Sequence, residues 1–386
     1  MILVLQTTTF AVHGGIPVYS RLVCRALNES GGALRACQKR ILIGSDQPAD
    51  VANGGRELKN LTFEAFGRNR RALVWRALGL ALHEKIVLAL IGHVNYAPFG
   101  LLLKKFQPES RYGVFLYGID AWQRLSPLKR RALQKADFLI AISETTKTNA
   151  AAANDLDPSR IQILPNALEW TSEPASERSR GGVQLLSVCR LERDEQYKGV
   201  DTTLRALTQV ALTVPDVRYV VVGEGSDLAR HRDLARELGV ADRVEFTGRV
   251  SDEVLRRHYR ESDIFVLPSA SEGFGFVFLE AMHYAKPIVG ANSGATPEVV
   301  SDGETGLLVE YGNAAQLAEA ITSLCTNVQL RQRLGRAGQT RLQQNFTFDH
   351  FRERFSRIIS PQLGIKTASN QSPGQPSRFF SAGAAS

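Results

Sequence analysis

Short apolar runs alternate along the chain with longer stretches in which apolar residues recur every three or four positions. In the first half the runs cover 2–5, 40–43, 86–91, 113–116, 138–142 and 161–164. In the second half they cover 184–188, 219–222, 244–246, 264–267 and 288–289. Helix-length periods such as 200–212, 227–238 and 252–261 lie between them. Strands joined by helices predict parallel sheets with helices on both faces. The alternation happens twice. Between the two halves, Trp170–Gly182 is polar and rich in Ser, Pro and Gly, which is the composition of an interdomain linker. The pattern therefore predicts an α/β chain with two doubly wound domains, 1–170 and 183–345, joined by a linker at 171–182. The residues over 363–386 are mostly Ser, Gln, Gly, Pro and Ala and read as a disordered tail.

Composition narrows this picture. Of 386 residues, 44% are hydrophobic and 22% charged, enough to build ordinary cores and too apolar for wholesale disorder. The longest apolar stretch, 72–91, is broken by Arg76, His83, Glu84 and Lys85, so no membrane span is expected. Met1-Ile-Leu-Val-Leu-Gln lacks the basic flank of a signal peptide and reads as a first core strand. The cysteines, Cys24, Cys37, Cys189 and Cys325, are scattered without a CxxC pair, which argues against a disulfide scaffold or zinc site and fits the cytoplasm.

Charge separates the halves. The chain has 47 basic and 39 acidic residues, a net +8, and residues 1–170 hold 22 of the basic and 13 of the acidic ones. All the excess is therefore in the first half, concentrated in Arg68-Asn-Arg70-Arg71-Ala-Leu-Val-Trp75-Arg76 and Lys129-Arg130-Arg131. Arginine interleaved with Leu, Val and Trp suits a helix on an anionic membrane surface, and equally a solvated helix face. No nucleic-acid-binding motif accompanies it.

A parallel sheet binds ligands beyond the carboxyl ends of its strands, so chemistry belongs in the loops that follow them. After 264–267 comes Pro268-Ser-Ala-Ser-Glu272-Gly273-Phe274-Gly275-Phe276, then Glu280. The glycines let backbone approach a ligand, and a helix start offers free N–H groups with a positive dipole end, which together make an anion site suited to a pyrophosphate. Glu272 and Glu280, if helical, would stand about 12 Å apart along the axis, one carboxylate at the mouth of the loop and the other two turns in, and carboxylates accept from vicinal sugar hydroxyls. Arg190 follows the 184–188 strand, and Lys198 comes eight residues later, a pair able to neutralise a leaving diphosphate. In the matching place of the first half, His13-Gly14-Gly15-Ile-Pro17 makes a Gly-rich turn before a helix. It is not GxGxxG and has no ribose-reading acid downstream, so a nicotinamide dehydrogenase is disfavoured.

These segments, with Gly223-Glu224-Gly225, Phe246-Thr-Gly248-Arg-Val250, Lys286-Pro287 and Asp302-Gly303-Glu-Thr-Gly306, resemble glycosyltransferase family 4 (glycosyl transferases group 1). The similarity covers nearly all of 183–345 and is thinner before it, at Gly14-Gly15, Ser143-Glu144 and Pro165-Asn166. It implies the GT-B fold, two Rossmann-like domains facing a central cleft, with a helix in 346–362 crossing back to the first domain. It implies that Arg190 and Lys198 hold the donor pyrophosphate with backbone N–H groups near Gly14, Gly15, Phe274, Gly275 and Phe276. Glu280 would bind the ribose, Val250 and Glu224 would line the base site, and Glu272 would contact the sugar near the reacting carbon. Tyr117, in Phe115-Leu-Tyr117-Gly118-Ile-Asp120-Ala-Trp122, stands where many members carry a His beside the sugar; Asp120 is an acceptor-side candidate or a structural acid. His93, after another strand, is a candidate for the cleft, with a core or surface histidine the favoured reading.

One D-x-D is present, Asp155-Leu-Asp157, ahead of the 161–164 strand on the amino side of the sheet, where it reads as a helix-terminating turn. The expected activity is thus retaining hexosyl transfer from a UDP- or GDP-sugar to a hydroxyl of a glycan or polyprenyl-diphosphate-linked acceptor, with no metal or other cofactor. Contact with an anionic membrane through the basic domain is expected, and nucleic acid is not. Two other readings stand beside it, a GT-B nucleotide-sugar epimerase and a non-catalytic nucleotide-sugar-binding protein.

Overall fold

The computed structural model describes residues 1–12, 14–170 and 182–363. The first sheet comprises β1 (Ile2–Gln6), β2 (Lys39–Ile43), β3 (Thr62–Ala65), β4 (Leu88–Ile91), β5 (Arg111–Leu116), β6 (Phe138–Ala141) and β7 (Ile161–Ile163), in the order β3-β2-β1-β4-β5-β6-β7. The second comprises β8 (Gln184–Val188), β9 (Arg218–Val222), β10 (Val244–Gly248), β11 (Ile264–Leu267), β12 (Ile288–Ala291) and β13 (Gly306–Val309), in the order β10-β9-β8-β11-β12-β13. Every strand pairing is parallel. The central strands β1 and β4 are fully buried, as strands covered by helices on both faces must be. In each sheet the strand order reverses beside the first strand, between β1 and β4 and between β8 and β11, which opens a crevice at the carboxyl ends.

The apolar pattern misses two strands, β3 and β13. Both are four-residue edge strands: Glu64 interrupts the apolar residues of β3, and β13 offers only Leu307, Leu308 and Val309 after Gly306, a run too short to stand out. The 86–91 run becomes a strand only from Leu88, because the Ile86 N–H turns aside to the Gln107 side chain (2.9 Å).

The chain returns to the first domain at its end. The Leu168 N–H donates to the Phe346 carbonyl (2.9 Å), and helix Phe348–Ile359 then lies against helix Gly15–Asn28. Its apolar stripe of Phe348, Phe351, Phe355 and Ile359 is buried. Phe351 meets Tyr19 edge-on (5.4 Å between centroids), and the Arg25 guanidinium sits 3.7 Å above Phe348. At about 1.5–3 kcal/mol per buried large side chain, this stripe is a strong strap. The expected linker at 171–182 and tail at 363–386 lie outside the described residues apart from Gly182 and Leu363; Leu363 ends the 3-10 turn Ser360–Leu363 and is buried. No helix among the described residues is long and apolar enough to cross a membrane.

Candidate active site

Two helices open onto the space between the domains, and both begin unusually. Helix Gly15–Asn28 starts after Gly14 (φ 148°) and helix Phe276–His283 after Gly275 (φ 90°). Those positive φ values favour glycine, which brings no side chain to cap the helix. Neither start has a side-chain cap or an acidic residue in its first turn. The first-turn N–H groups and the positive dipole end are thus left for an anion. The two starts confront each other: a Cβ added at Gly15 would lie 3.7 Å from the Phe276 ring. The Phe274 side chain, by contrast, is buried edge-on against Phe346 (5.6 Å), so only its backbone serves the site.

Glu272 lies on the loop before the helix, which begins only at Phe276. The separation conditional on both being helical therefore does not apply: one carboxylate is on the loop, as its expected place at the loop mouth has it, and the other is on the helix. Glu272 is 7% exposed and accepts from Lys198 Nζ at 2.7 Å. Burial works against the Lys198 ammonium, but the Glu272 carboxylate outweighs it and holds the pKa above the ordinary lysine value. Lys198 ends the 3-10 segment Arg193–Lys198 after β8, where a phosphate entering the cleft would compete with Glu272 for it. Arg190 projects into solvent, with its guanidinium held by Glu195. It must exchange that partner to reach a diphosphate.

Glu280 points from the helix to the Tyr259 hydroxyl, which donates to Oε2 at 2.7 Å. Burial raises its pKa to about 7, and the Tyr259 hydrogen bond partly offsets the rise. Tyr259 is held by stacking on Phe265 (5.8 Å) and Tyr284 (6.0 Å). On the neighbouring loops the Gly223 N–H donates to the Gly248 carbonyl (3.0 Å), and Glu224 faces Arg249 at 3.6 Å, with both side chains exposed. Val250 follows, half-buried against the core that includes Tyr259. The expected base and ribose residues thus line one side of the second crevice.

Across the cleft, the Tyr117 ring packs edge-on to Tyr19 (5.3 Å) and stacks on Phe115 (6.3 Å), and burial drives its pKa well above the ordinary tyrosine value. What Tyr117 turns toward the second domain is its carbonyl. A Cβ on Gly273 would lie 2.5 Å from that oxygen, and one on Gly118 would lie 3.2 Å from the Gly273 Cα, so bare backbone meets bare backbone there. Asp120 Oδ1 accepts from the Tyr117 N–H (3.1 Å), sealing the turn after β5. Its Oδ2 is buried without a partner, and burial lifts the pKa to about 7 despite backbone hydrogen bonds that oppose the rise. His93 accepts from the Asn95 N–H through Nδ1 (3.1 Å); burial and then Lys129 lower its pKa to about 4, which keeps the ring neutral. Asp155 closes helix Glu144–Asn154 in the left-handed conformation, and Asp157 caps the following turn through Ser159 N (2.9 Å).

Three supporting residues escape a sequence reading. Asp46, fully buried after β2, accepts from Thr8 Oγ1 (2.7 Å), Thr9 N and Phe10 N (2.7 Å), and so holds the loop that leads to Gly14. An aspartate just beyond a strand end is its only signal. Tyr259 belongs to a different helix from the Glu280 it positions. Glu298 reaches from the second domain to the start of helix Glu144–Asn154.

The comparisons with known proteins agree with this geometry. Residues 172–341 match the family model described as glycosyl transferases group 1. Over 264 residues the chain is 31% identical to the GDP-mannose-dependent alpha-(1-6)-phosphatidylinositol monomannoside mannosyltransferase of Mycobacterium tuberculosis (strain CDC 1551 / Oshkosh), covering 63% of this chain and 68% of that one. It is 33% identical over 223 residues to the D-inositol 3-phosphate glycosyltransferase of Corynebacterium kroppenstedtii, covering 54% and 49%. The crystal structure of Anabaena Alr3699/HepE in complex with UDP and glucose shares the fold, with a TM-score of 0.72 at 19% identity over 93% of this chain and 99% of that one. The chain therefore belongs to the group 1 glycosyltransferases and has their GT-B fold.

Proposed function

We propose that the protein transfers a hexose from a nucleoside-diphosphate sugar to a hydroxyl of a glycan or lipid-linked acceptor, with retention at the anomeric carbon and without a divalent cation. The observation that carries this reading is the pair of uncapped glycine-started helices, one from each domain, confronting each other beside Lys198. A diphosphate between them receives N–H groups from both domains and a buried ammonium from one. That is the electrostatic environment a departing nucleoside diphosphate requires. The bond from the anomeric carbon to the β-phosphate oxygen breaks with its electron pair leaving on the diphosphate. The acceptor hydroxyl adds to the same face of the sugar and gives its proton to the phosphate oxygen that has just been freed. Glu272 lies beside the positive charge that builds on the ring, and Glu280 holds the ribose.

The mycobacterial relative is named for GDP-mannose, which favours a GDP-sugar over a UDP-sugar. The acceptor side is the basic first domain. Its helix Arg70–His83 buries Leu73, Ala77, Leu80 and Ala81 yet also exposes Val74, Trp75 and Leu82 beside Arg70 and Arg71. A helix apolar on both faces with basic neighbours suits an anionic lipid surface, and a lipid-linked acceptor would be met there. Arg76 takes no part, since Glu64 binds it in two-pronged fashion at 2.6 and 2.8 Å. A thermal-shift screen with GDP, UDP and ADP, each in magnesium and in EDTA, tests the donor proposal. One nucleotide is expected to raise the midpoint equally in both buffers. A rise confined to magnesium overturns metal independence, and no rise with any nucleotide overturns the donor site.

A further inference from the structure

We infer that Glu298 is a positioning residue for transfer: its carboxylate, seated at the head of helix Glu144–Asn154 of the first domain, bolts the donor loop of the second domain into register across the cleft. Unlike the two open helix starts, this one is completely satisfied. The Glu144 N–H donates to Glu298 Oε2 (2.8 Å) and the Thr145 N–H to Oε1 (2.8 Å). The Thr145 hydroxyl donates to the same Oε1 (2.7 Å), with the Gly294 carbonyl 3.1 Å away. Ser143 takes the Thr146 N–H (3.0 Å). A carboxylate spanning two N–H groups at the positive end of a helix is well placed, but here it comes from 153 and 154 residues away, on the other domain.

The element that carries Glu298 also holds the donor loop. Glu298 belongs to the short helix Thr296–Val299, whose carboxyl end Arg341 fixes by donating to the Val299 (2.8 Å) and Glu298 (2.9 Å) carbonyls. Just before that helix, the Ala295 N–H donates to the Glu272 carbonyl (2.9 Å), and Ser293 Oγ donates to the Ala270 carbonyl (2.7 Å). The chain of contacts therefore runs from Glu272 through Ala295 to Glu298 and on to the Ser143–Thr145 turn. That turn directly follows Ile142, which lies beside Gly273. Releasing Glu298 removes the tie at this edge of the cleft while the Phe348–Ile359 strap stays, so Gly273 can lift from the Tyr117 carbonyl and water can enter beside the sugar. This inference rests on membership of the glycosyltransferases and holds for any sugar donor.

The test compares Glu298→Ala, Glu298→Asp and Thr145→Val in the full chain. Fluorophores on the two domains report their separation without any donor, and steady-state assays give transfer and donor hydrolysis. Glu298→Ala is expected to lengthen the mean separation, lower kcat about tenfold or more, raise hydrolysis relative to transfer, and weaken nucleotide binding by a smaller factor than kcat, because Lys198 and Glu280 stay in place while the Gly15 helix start moves away. Glu298→Asp should recover part of the loss. Thr145→Val removes the first-domain hydroxyl from this contact while leaving the second domain's own residues unchanged, and should move separation and kcat in the same direction by a smaller factor. It carries the test alone if Glu298→Ala does not fold. Unchanged separation and kcat in the folded variants would overturn the inference. So would a fall in kcat at unchanged separation, which would assign Glu298 to local structure only.

Discussion

Substituting Gly273 by alanine is the cleanest probe of how the domains meet. The φ of Gly273 is outside the left-handed region, so alanine suits its backbone, and the obstacle is across the cleft. The added Cβ would lie 2.5 Å from the Tyr117 carbonyl oxygen, whereas ordinary contact begins at 3.4 Å. That oxygen is backbone, on a turn tied by Asp120 to the Tyr117 N–H, so it cannot rotate away as a side chain would. The donor loop must therefore recede by nearly 1 Å, carrying Glu272 with it. A misplacement of that size costs about a hundredfold in rate, or about 2.7 kcal/mol of transition-state stabilisation. The assay is kcat for transfer, read beside the thermal midpoint and nucleotide affinity. A fall of roughly a hundredfold in kcat should accompany a midpoint within a few degrees of wild type, since the clash is with one backbone oxygen and the Ile142 side chain stays at ordinary contact distance. Gly79→Ala is the control: nothing lies within 4 Å of its added Cβ, and mid-helix alanine should raise stability by about 0.5–1 kcal/mol without touching activity. Wild-type turnover by Gly273→Ala would refute the reasoning, because the domains could then not meet at this contact in the reacting complex.

Other tests address the donor and the membrane. Glu280 has a pKa raised to about 7, so it is protonated below neutrality and ionises above it, and nucleotide affinity should tighten as pH rises from 6 to 8. Tyr259→Phe removes the hydrogen bond that lowers that pKa and should move the transition to higher pH, while Glu280→Gln should flatten it; calorimetric titration at several pH values checks all three. Lys198→Ala leaves the nearly buried Glu272 without its cation, at a cost of about 3 kcal/mol. Adding Glu272→Gln should restore much of the thermal midpoint but no transfer, and an equal midpoint loss in the double variant would contradict the pairing. Sedimentation with anionic liposomes should fall severalfold for Arg70→Ala/Arg71→Ala/Trp75→Ser and fall with added salt. Equal pelleting by wild type and variant would remove the membrane from the proposal.

Some of the site could be read from the chain because its causes are local. A run such as Ile2–Leu5 can only be buried on both faces, and Gly275 before Phe276 can only begin a helix without a side-chain cap. Glu280 and Lys198 stand out because loop and helix positions after strands are fixed by neighbours a few residues away. Other features are invisible at that range. Nothing near Arg190 says that Glu195 holds its guanidinium, and nothing near Phe274 says that its ring packs against Phe346 rather than a ligand. Tyr117 is expected beside the sugar from its place in the motif, yet its ring joins Tyr19 and Phe115, and its carbonyl is what meets the other domain.

By itself, then, the sequence determined every strand but the edge strands β3 and β13, the alternation with helices, the two-domain division and the residue types offered to a diphosphate, because backbone propensity and burial period act over a few residues. The tertiary structure decided which of those groups meet. Glu298 and Thr145 are 153 residues apart and Gly118 and Gly273 are 155 apart, and only the docking of the two sheets brings them within contact. Hydrogen bonds and close contacts act over about 3 Å of space and are indifferent to distance along the chain.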